Sequence, residues 1–550
     1  MSSVSAVIAH ALKPVAPQIF GLMGNGNAHF LDAAVRAGFE YTAVRHESAA
    51  VSAADAYFRI ANKLSIATTT YGAGYTNAVT ALAEAAAART PLLFVTGDAP
   101  STGLRGWDVD QSAIDGGVRA PRYVVDRHTP GSIALEAAAH ALREQTPVVL
   151  AIPYDLAAAE SSAEELPDFA SLACTMPKPQ LEVATLKQIA MKLNASQRTH
   201  ILYGRGAIDA AEQVKELAQK LDATTSGTLL ARDLLDYEFD LGITGGFSTE
   251  ANARIIAQAD TVLVLGASLN QFTMRFGELI EKSATLIQID LGAAATNARV
   301  DYFATADTLS AVEDLLDAVQ GAQSSWCAEL DLSDLRRRPA GDEVAEDGLL
   351  DPRRVASELE NILPANRILV QDGGHFIGWG PMYWTTSGAR SLTCVGTAYQ
   401  SIGLGIASMV GAGAAADGRT VVLAAGDGGF LMGLADLESI IRTIDSGVIV
   451  IYNDSAYGAE VHQYGSIGLH EDPMLIPTVD FAGIARSMGA TGVRVEKLSD
   501  MAGLTQWVEA GAHGVCLVDA HVSTAIRAPY MEEVLAANKK AAATLALQSD

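Results

Sequence analysis

Two acidic residues in the last third of the chain follow successive apolar runs. Asp427 comes after "TVVLAAG", and Asp454 comes after "SGVIVIYN". Because the carboxyl ends of neighbouring parallel strands meet at one edge of a sheet, both carboxylates would face the same crevice. Two side-chain oxygens, a turn carbonyl and phosphate oxygens make a ligand set that suits octahedral Mg²⁺. The pattern therefore predicts a metal site that anchors a diphosphate.

Glycines surround the first of these acidic residues, because Gly426 precedes it and Gly428 and Gly429 follow it. Without side chains in the way, the amides at the start of the following helix can approach phosphate oxygens. A Gly-Asp-Gly turn alone is usually an ordinary strand-to-helix connection. The second acidic turn, after the next predicted strand, is what favours the phosphate interpretation.

Short apolar strands alternate with Ala-rich helices along the chain, which predicts parallel α/β layers. "PLLFVTG", "DTVLVLGAS" and "SGVIVIYND" are predicted strands, and "HESAAVSAADAYFRIAN" and "MGLADLESIIRTI" are predicted helices. The polar stretches "AAESSAEELPDFASLACTMPKPQ" and "RRRPAGDEVAEDGLLDPRR" interrupt the pattern. We therefore expect an α/β fold of three domains, each a parallel sheet flanked by helices. Their expected bounds are 1–165, 181–325 and 350–535, with a C-terminal tail at 536–550.

The composition argues against several classes of protein. At 550 residues the chain is too long for one core. Its net charge of −26 argues against a nucleic-acid partner, since such partners select basic surfaces. The four cysteines form no CxxC pair, so buried free thiols are favoured over disulfides or zinc. Neither a signal peptide nor an apolar run long enough to span a membrane is evident, and we expect a cytoplasmic protein.

Taken together, the two acidic turns resemble the thiamine-diphosphate signature, in which Gly-Asp-Gly is followed one helix later by an Asn-rich turn. The likeness extends over nearly the whole chain, to the family of acetohydroxyacid synthase, pyruvate decarboxylase and benzoylformate decarboxylase. It implies a pyrimidine-binding first domain, a Rossmann-like middle domain and a diphosphate-binding third domain, the first and third sharing the thiamine-diphosphate-binding fold. It also implies thiamine diphosphate and Mg²⁺ as cofactors, and a homodimer or homotetramer with active sites at the subunit interface.

The resemblance assigns the metal ligands in "NDSAYGAE". Asp454 falls at the side-chain ligand position, Ala456 at the backbone-carbonyl position, and Tyr457 beside the cofactor. The family usually has Asn where this chain has Asp454, so the site carries one more negative charge. Asn453 is the alternative ligand if the register differs by one residue.

The stretch "RHESAAVSAADAYFR" resembles the family segment whose glutamate hydrogen-bonds the aminopyrimidine ring and activates the cofactor. Glu47 is that glutamate, and its role calls for burial and a raised pKa. The alternative is that a glutamate in the first turn of a helix is favoured by the helix dipole alone. The small residues behind it favour the functional interpretation, because they let the helix lie flush against a partner, which in the family is another subunit.

Further cofactor contacts follow from the same resemblance. Gly74 lies in the Gly-rich turn "TTYGAGYTN", and Gly374 and His375 lie in "VQDGGHFIGW", where they would contact phosphate or substrate. In "GTAYQSIGLG", Gln400 matches the position whose main-chain carbonyl accepts the pyrimidine amino group. Ile402 matches the bulky apolar residue that separates the two rings.

The substrate side departs from the known family patterns. Glu460 matches a pocket glutamate of pyruvate decarboxylases that handles protons, although a solvated glutamate opening a helix is an equal alternative. The loop "STGLRGWDVDQ" lacks the paired histidines of pyruvate decarboxylases and the Phe-Gln pair of acetohydroxyacid synthases. Trp107, Asp110 and Gln111 take their place, with Gln111 as a donor, unless Trp107 merely packs the loop. This wall predicts a substrate other than pyruvate, or one with polar groups.

The predicted reaction is non-oxidative lyase or carboligase chemistry on a 2-oxo acid, by decarboxylation through a cofactor-bound carbanion with possible acyloin formation. The alternatives are a transferase like acetohydroxyacid synthase, a C–C bond hydrolase and a 2-hydroxyacyl-CoA lyase. A non-catalytic homologue is disfavoured, because Glu47 and the metal turn are both present. The middle domain shows no Gly-rich or basic fingerprint for a flavin, so FAD is not expected.

Overall fold

The computed structural model describes residues 2–173, 178–322, 325–333, 335 and 338–548. It confirms the predicted fold class, because the chain forms three α/β domains, each built on a parallel sheet flanked by helices. The domain bounds stay a prediction. Within the described ranges, no helix has both the length and the apolar character that a membrane span requires.

The first domain holds six of the strands that the structure describes. The strands are β1 (Gln18–Gly21), β2 (Glu40–Ala43), β3 (Ile66–Thr69), β4 (Leu92–Asp98), β5 (Arg122–Val124) and β6 (Pro147–Pro153). The helices are α1 (Val4–Leu12), α2 (Ala28–Arg36), α3 (Glu47–Ala61), α4 (Ala73–Asn77), α5 (Val79–Ala88), α6 (Gln111–Val118) and α7 (Pro130–Glu144). The sheet order is β2-β1-β3-β4-β6-β5, and a short helix α8 (Phe169–Ala173) follows within the stretch predicted as a linker.

The middle domain has the strand order of a Rossmann fold. Its strands are β7 (Thr199–Tyr203), β8 (Thr224–Gly227), β9 (Asp240–Ile243), β10 (Thr261–Leu265), β11 (Thr285–Asp290) and β12 (Tyr302–Thr305). Its helices are α9 (Val183–Ala195), α10 (Ala211–Leu221), α11 (Glu250–Ala257) and α12 (Thr308–Ala318). The order β12-β11-β10-β7-β8-β9 places the switch point between β10 and β7. There a Cβ on Gly204 would lie 2.4 Å from the Gly266 carbonyl oxygen, so the two loops touch.

The third domain repeats the topology of the first. Its strands are β13 (Arg367–Gln371), β14 (Leu392–Thr393), β15 (Thr420–Gly426), β16 (Ser446–Asn453), β17 (Thr491–Val495) and β18 (Gly514–His521). Its helices are α13 (Pro352–Ile362), α14 (Trp379–Tyr383), α15 (Gly405–Ala414), α16 (Asp427–Met432), α17 (Leu437–Thr443), α18 (Gly458–Gln463), α19 (Phe481–Ser487), α20 (Ala502–Glu509) and α21 (Pro529–Gln548). The order β14-β13-β15-β16-β18-β17 matches that of the first sheet strand for strand.

The crossover between β15 and β16 differs from the sequence prediction of one helix over "MGLADLESIIRTI". The chain forms α16, a 3-10 turn at Leu434–Asp436 and then α17. The break follows Gly433, where a Cβ would meet the Gly403 carbonyl oxygen at 2.9 Å. Asp427 is therefore not a loop residue but the first residue of α16, which places its carboxylate at a helix N-terminus.

The first and third domains meet where α3 crosses α15. α3 is rich in Ala, the best helix former, and His46 caps its start by accepting a hydrogen bond from Ser48 N. A Cβ on Gly411 of α15 would lie 1.9 Å from the Ala53 carbonyl oxygen, so the two helix backbones are in contact. The small-residue face of α3, expected to meet another subunit, thus packs at Ala53 against α15 of its own chain.

The described cysteines, Cys327, Cys394 and Cys516, are buried free thiols, in agreement with the sequence prediction. Cys174 lies outside the described residues. Burial raises the pKa of each of the three thiols.

Candidate active site

The acidic turns of the third domain come together at the carboxyl ends of two paired strands. β15 and β16 are parallel neighbours, with Gly426 opposite Tyr452. Asp427 follows β15, and its Oδ1 accepts a hydrogen bond from Gly428 N at 2.9 Å. Its Oδ2 is buried and has no hydrogen-bond partner among the described residues. A buried carboxylate oxygen without a partner is costly, and a bound cation would satisfy it.

The surroundings of both carboxylates disfavour their charged forms. Burial raises the pKa of Asp454 to about 8, with a further contribution from the charge of Asp427. Burial also raises the pKa of Asp427 to about 6, although nearby backbone amides oppose the rise. A divalent cation between them would reverse both effects. Among the described residues no group of three or more His, Cys, Asp or Glu side chains is arranged to hold a metal. Carbonyl, phosphate or water oxygens would complete the coordination of Mg²⁺.

The side-chain nitrogen of Asn453, the alternative ligand, is hydrogen-bonded away from Asp427. Its Nδ2 donates to Asp519 Oδ1 at 2.9 Å and to the Val479 carbonyl at 3.3 Å. The side chain is therefore tied to the neighbouring strand β18. Asn453 Oδ1 is buried and has no hydrogen-bond partner among the described residues, so both Asp454 and Asn453 stay candidates for the second ligand.

Glycines let the loops of the site approach each other. A Cβ on Gly428 would lie 2.6 Å from Tyr457 Cε1, and one on Gly458 would lie 2.7 Å from Asp454 Oδ2. The predicted residues Asp427, Gly428, Asp454 and Tyr457 thus share one small region. The N-terminus of α16, where the glycines carry no side chains, suits an anion such as a diphosphate.

Sequence reasoning missed Asp372, which holds the loop around Gly403 and Gly405 beside the turn after β13. This buried carboxylate accepts hydrogen bonds from Gly403 N at 2.9 Å and from Gly405 N at 3.2 Å. A Cβ on Gly429 would lie 2.2 Å from Asp372 Oδ2. Burial raises the pKa of Asp372 to about 6. It lies within "VQDGGHFIGW", but nothing in that string indicates that its partners are amides about thirty residues further on.

The segment that carries Gln400 and Ile402 lies against the turn that contains Asp372 and Gly373. Ile402 Cγ2 would lie 3.0 Å from a Cβ on Gly373, which places Ile402 beside the turn after β13. Gln400 is exposed and adopts a left-handed conformation with φ 59°. Non-glycine residues in this region are uncommon and often mark functional loops.

The structure shows Gly374 and His375 in different roles. Gly374 has φ 136°, a conformation that suits glycine. His375 is buried, and its Nε2 accepts a hydrogen bond from Ala528 N at 2.9 Å, so its proton is on Nδ1. Burial, with nearby His462 and Arg527, lowers the pKa of His375 to about 3. A contact with phosphate would therefore be made by a neutral ring.

A second group of predicted residues lies at the carboxyl edge of the first sheet. Glu47 opens α3, is half-buried, and its Oε2 accepts a hydrogen bond from Asn77 Nδ2 at 2.9 Å. A Cβ on Gly74 would lie 3.1 Å from Glu47 Oε1, so the predicted pair is indeed adjacent. Just before α3, Arg45 N donates to Asp436 of the third domain at 2.8 Å. Asp436 thus ties the start of α3 to the 3-10 turn between α16 and α17 in the β15–β16 crossover.

Gln111 does not present a free donor. It is 3% exposed, its Oε1 accepts from Gly72 N at 2.8 Å, and its Nε2 donates to the Gly97 carbonyl at 3.1 Å. Both amide atoms therefore hold backbone turns in place, which does not fit a proton donor to substrate. The sequence could not reveal this, because the partners are main-chain atoms of distant loops.

The rest of the predicted wall is an aromatic surface. Trp107 is 72% exposed and lies 5.3 Å from the Arg105 guanidinium, which also lies over Tyr71 and Tyr154. Asp110 caps α6 by accepting a hydrogen bond from Ala113 N. The loop therefore presents an aromatic face and one partly exposed cation.

Glu460 is exposed on α18, two residues before the buried His462. The exposure of Glu460 leaves both sequence interpretations open. The rings of His462 and His375 lie 4.4 Å apart, and Arg527 Nε lies 3.5 Å from His462 Nδ1. His462 thus belongs to the packing between α18, His375 and Arg527.

Comparisons with known proteins agree with this geometry. Three family models match the chain: "Thiamine pyrophosphate enzyme, N-terminal TPP binding domain" over residues 2–117, its central domain over 186–318, and its C-terminal TPP binding domain over 372–520. Sulfoacetaldehyde acetyltransferase of Castellaniella defragrans is 27% identical over 531 residues, covering 88% of this chain and 86% of the relative.

Two other relatives carry different names. Acetolactate synthase isozyme 1 large subunit of Escherichia coli K12 is 27% identical over 474 residues, covering 81% of this chain and 80% of the relative. A probable 2-ketoarginine decarboxylase of Pseudomonas aeruginosa is 25% identical over 523 residues, covering 91% and 90%. The family resemblance seen in the sequence is confirmed, and the chain belongs to the thiamine pyrophosphate enzymes.

Proposed function

We propose that the protein is a Mg²⁺-dependent, non-oxidative lyase or carboligase that uses thiamine diphosphate to act on a 2-oxo acid. The observation that supports the cofactor site most directly is the pair Asp427 and Asp454. Both carboxylates have raised pKa values, and one oxygen of Asp427 has no partner within the described part of the chain. A divalent cation and a diphosphate would satisfy all of these groups.

The chain's own residues would divide the work as follows. Asp427, Asp454 and the Ala456 carbonyl would hold Mg²⁺, and Gly428 and Gly429, which carry no side chains, would leave room for the phosphates at the start of α16. When bound, thiamine diphosphate supplies a nucleophilic carbon and accepts the electron pair left by the departing CO₂.

On the pyrimidine side, Glu47 holds a proton at the ring nitrogen. The Gln400 carbonyl and Ile402 orient the rings, and Glu460 exchanges protons with the substrate. Gln111 supports the turn at Gly72 rather than acting as a proton donor, because both of its amide atoms are already hydrogen-bonded.

We propose further that Glu47 completes the site of another subunit, in a homodimer or homotetramer. Glu47 begins α3, whereas Arg59, near the end of the same helix, contacts the Cys394 carbonyl in the segment leading to Gln400. A helix rises about 1.5 Å per residue, so about 18 Å of helix separates Glu47 from that contact. This separation supports a cofactor shared between two chains.

Decarboxylation of a panel of 2-oxo acids tests the proposal. The panel includes aliphatic, aromatic and charged members, and CO₂ release is followed with thiamine diphosphate and Mg²⁺ present. We expect turnover of at least one member and its loss when EDTA removes the metal. If the loaded protein releases no CO₂ from any member, the lyase proposal is wrong.

A second candidate is a transferase like acetolactate synthase, and the names of the relatives favour it. In that case the same bound fragment is passed to an acceptor rather than released as an aldehyde. Product analysis separates the two, because an aldehyde or acyloin indicates a lyase or carboligase, and a 2-hydroxy-2-alkyl-3-oxo acid indicates a transferase. A carboxylic acid would indicate a C–C hydrolase, and a formyl thioester an acyl-CoA lyase.

A further inference from the structure

A buried ionic cluster joins the first domain to the segment that leads into Gln400 and Ile402. It consists of Asp55 and Arg59 of α3 and Glu84 of α5, whose side chains are at most 5% exposed. Arg59 Nε lies 2.5 Å from Asp55 Oδ1, and Arg59 Nη2 lies 3.1 Å from Glu84 Oε1. Two carboxylates thus share one guanidinium.

The cluster makes two contacts with the third domain. Arg59 Nη1 donates to the Cys394 carbonyl at 3.0 Å, and Tyr399 N donates to Glu84 Oε2 at 2.7 Å. The second contact uses the remaining oxygen of Glu84, so both oxygens of this buried carboxylate are occupied. Between them, the two contacts fix both ends of the segment 394–399.

Only three residues separate this anchor from the one made by Asp372. Tyr399 N is held by Glu84, and Gly403 N is held by Asp372 at 2.9 Å. Gln400, Ser401 and Ile402 therefore lie between two buried carboxylates, one from each domain. Gln400 has a left-handed φ of 59°, a conformation that persists only where its surroundings impose it.

Stability alone does not explain a buried ionic cluster. Apolar residues of similar volume are often as stabilising as a buried ion pair, because desolvation offsets the Coulombic attraction. Ionic groups differ from apolar ones in that their hydrogen bonds are directional and specify one arrangement. The arrangement specified here is the placement of the segment just before Gln400.

We infer that Glu84, supported by Arg59 and Asp55, is a positioning residue that sets the conformation of Gln400 and Ile402 for cofactor binding. The inference rests on the proposed function, since it assigns this segment to the cofactor site. It adds that the first domain shapes the cofactor segment of its own chain, through Glu84 of α5 and through Arg59 of α3, the helix that begins with Glu47.

Glu84→Gln tests the inference in the full-length protein. Arg59 and Tyr399 N use different oxygens of Glu84, and in glutamine one of these positions becomes an NH₂ group that cannot accept, so one of the two contacts is lost. We expect the Kd for thiamine diphosphate, measured by calorimetry at saturating Mg²⁺, to rise about tenfold, in line with the loss of a hydrogen bond to a charged group. Amide hydrogen exchange of the peptide 394–402 should become faster by a similar factor.

Glu360→Gln is the matched control. Glu360 also joins a buried arginine, Arg367, to a backbone amide, Thr385 N, but it does so at the amino end of β13, away from the candidate site. This variant should speed exchange near Thr385 and leave the Kd for thiamine diphosphate within about twofold, because the lost bond is of the same kind in a different place.

The possible outcomes separate the inference from the function. If Glu84→Gln and Glu360→Gln change the Kd equally, or the 394–402 peptide keeps its exchange rate, the positioning role is wrong. If the wild-type protein binds no thiamine diphosphate, the proposed function fails, while the exchange comparison still decides whether Glu84 holds the segment. If Glu84→Gln does not fold, Asp55→Asn replaces it, and a smaller shift in the same direction, about threefold, is required because one Arg59 contact is weakened.

Discussion

The first and third domains share one strand order but carry different chemistry at the same sheet edge. In the first, a single carboxylate, Glu47, is half-buried and hydrogen-bonded to neutral Asn77. In the third, burial raises the pKa of both Asp427 and Asp454, and the charge of Asp427 raises that of Asp454 further. The topology therefore fixes where functional side chains lie, and the loop residues decide what those side chains do.

This difference has a physical meaning. A carboxylate with a neutral donor can hold or release a proton without a cation. Two adjacent buried carboxylates without a cation are unfavourable unless one of them is protonated. The first domain thus suits proton transfer, and the third suits metal binding.

Glu47→Gln should have the largest effect on activity. The amide cannot take up a proton, so turnover should fall about 10³-fold, within the range for loss of a general acid or base. Calorimetry should show binding of Mg²⁺ and thiamine diphosphate within a few-fold of wild type. Glu40→Gln, on the exposed start of β2, is the control and should keep full activity. Full turnover by Glu47→Gln would contradict the proposal that the first domain supplies proton transfer and the third supplies metal binding.

Asp427→Asn should show the converse behaviour. The loss of a charged metal ligand should weaken Mg²⁺-dependent cofactor binding about 100-fold, at the upper end of effects seen for groups that only support a metal ligand. Asp454→Asn should cost less, about tenfold or below, because an amide oxygen is also a good Mg²⁺ ligand. Exposed Asp445→Asn, on the same crossover, is the control. Equal losses for Asp427→Asn and Asp445→Asn would contradict the metal assignment.

Gly411→Ala tests how closely the two domains are joined. The added Cβ would lie 1.9 Å from the Ala53 carbonyl oxygen, so α3 and α15 must separate. We expect a loss of about 2 kcal/mol, typical of an overpacked contact, seen as a lower unfolding temperature. Helical Gly116 has no neighbouring atom within 4 Å of its Cβ position. Gly116→Ala should therefore be neutral or stabilising by up to about 1 kcal/mol.

The middle domain supplies a comparison from outside both groups of predicted site residues, the buried side chain of His200. His200 is buried between Thr224 Oγ1 and Ser226 Oγ, and burial lowers its pKa to about 3. Below its ordinary pKa of about 6.5, the unfolded chain takes up a proton that the folded chain does not. Stability should therefore fall as the pH drops below about 6.5, by up to about 1.4 kcal/mol per pH unit.

Calorimetry between pH 7 and pH 5 measures this loss. His200→Leu removes one titrating group and should reduce the acid dependence by that group's share, although it leaves two hydroxyls without their partner. His375, whose pKa burial lowers in the same way, keeps its own contribution. An unchanged slope in this variant would show that other groups control acid unfolding.

The sequence predicted the central strands and the ligand turns, and it was weaker at the sheet edges. The strands not predicted are β5, β8, β9, β12, β14 and β17. All but β8 lie at the edge of a sheet, and several are short or partly exposed, so they lack the apolar runs that reveal buried strands. Of the predicted site residues, Gln111 differs most from its expected role, because its partners are backbone atoms.

Residues missed by sequence reasoning share one property. Asp372, Asp436 and Glu84 all accept hydrogen bonds from main-chain amides of distant segments. Such contacts depend on the tertiary fold and leave no local pattern of spacing or composition. Acidic residues that follow predicted strands can be recognised in a sequence. The side chains that hold the loops around them by hydrogen bonds to distant amides cannot.

The touching backbones of α3 and α15 also restrict how the molecule can move. Sliding of one helix along the other is blocked where Gly411 meets Ala53, since no side chain lies between them to change rotamer. Rotation about that point remains possible, and it displaces the helix ends most. We expect any rearrangement on ligand binding to be a pivot that swings Glu47 while its crossing point stays fixed, which a comparison of ligand-free and ligand-bound crystals would measure.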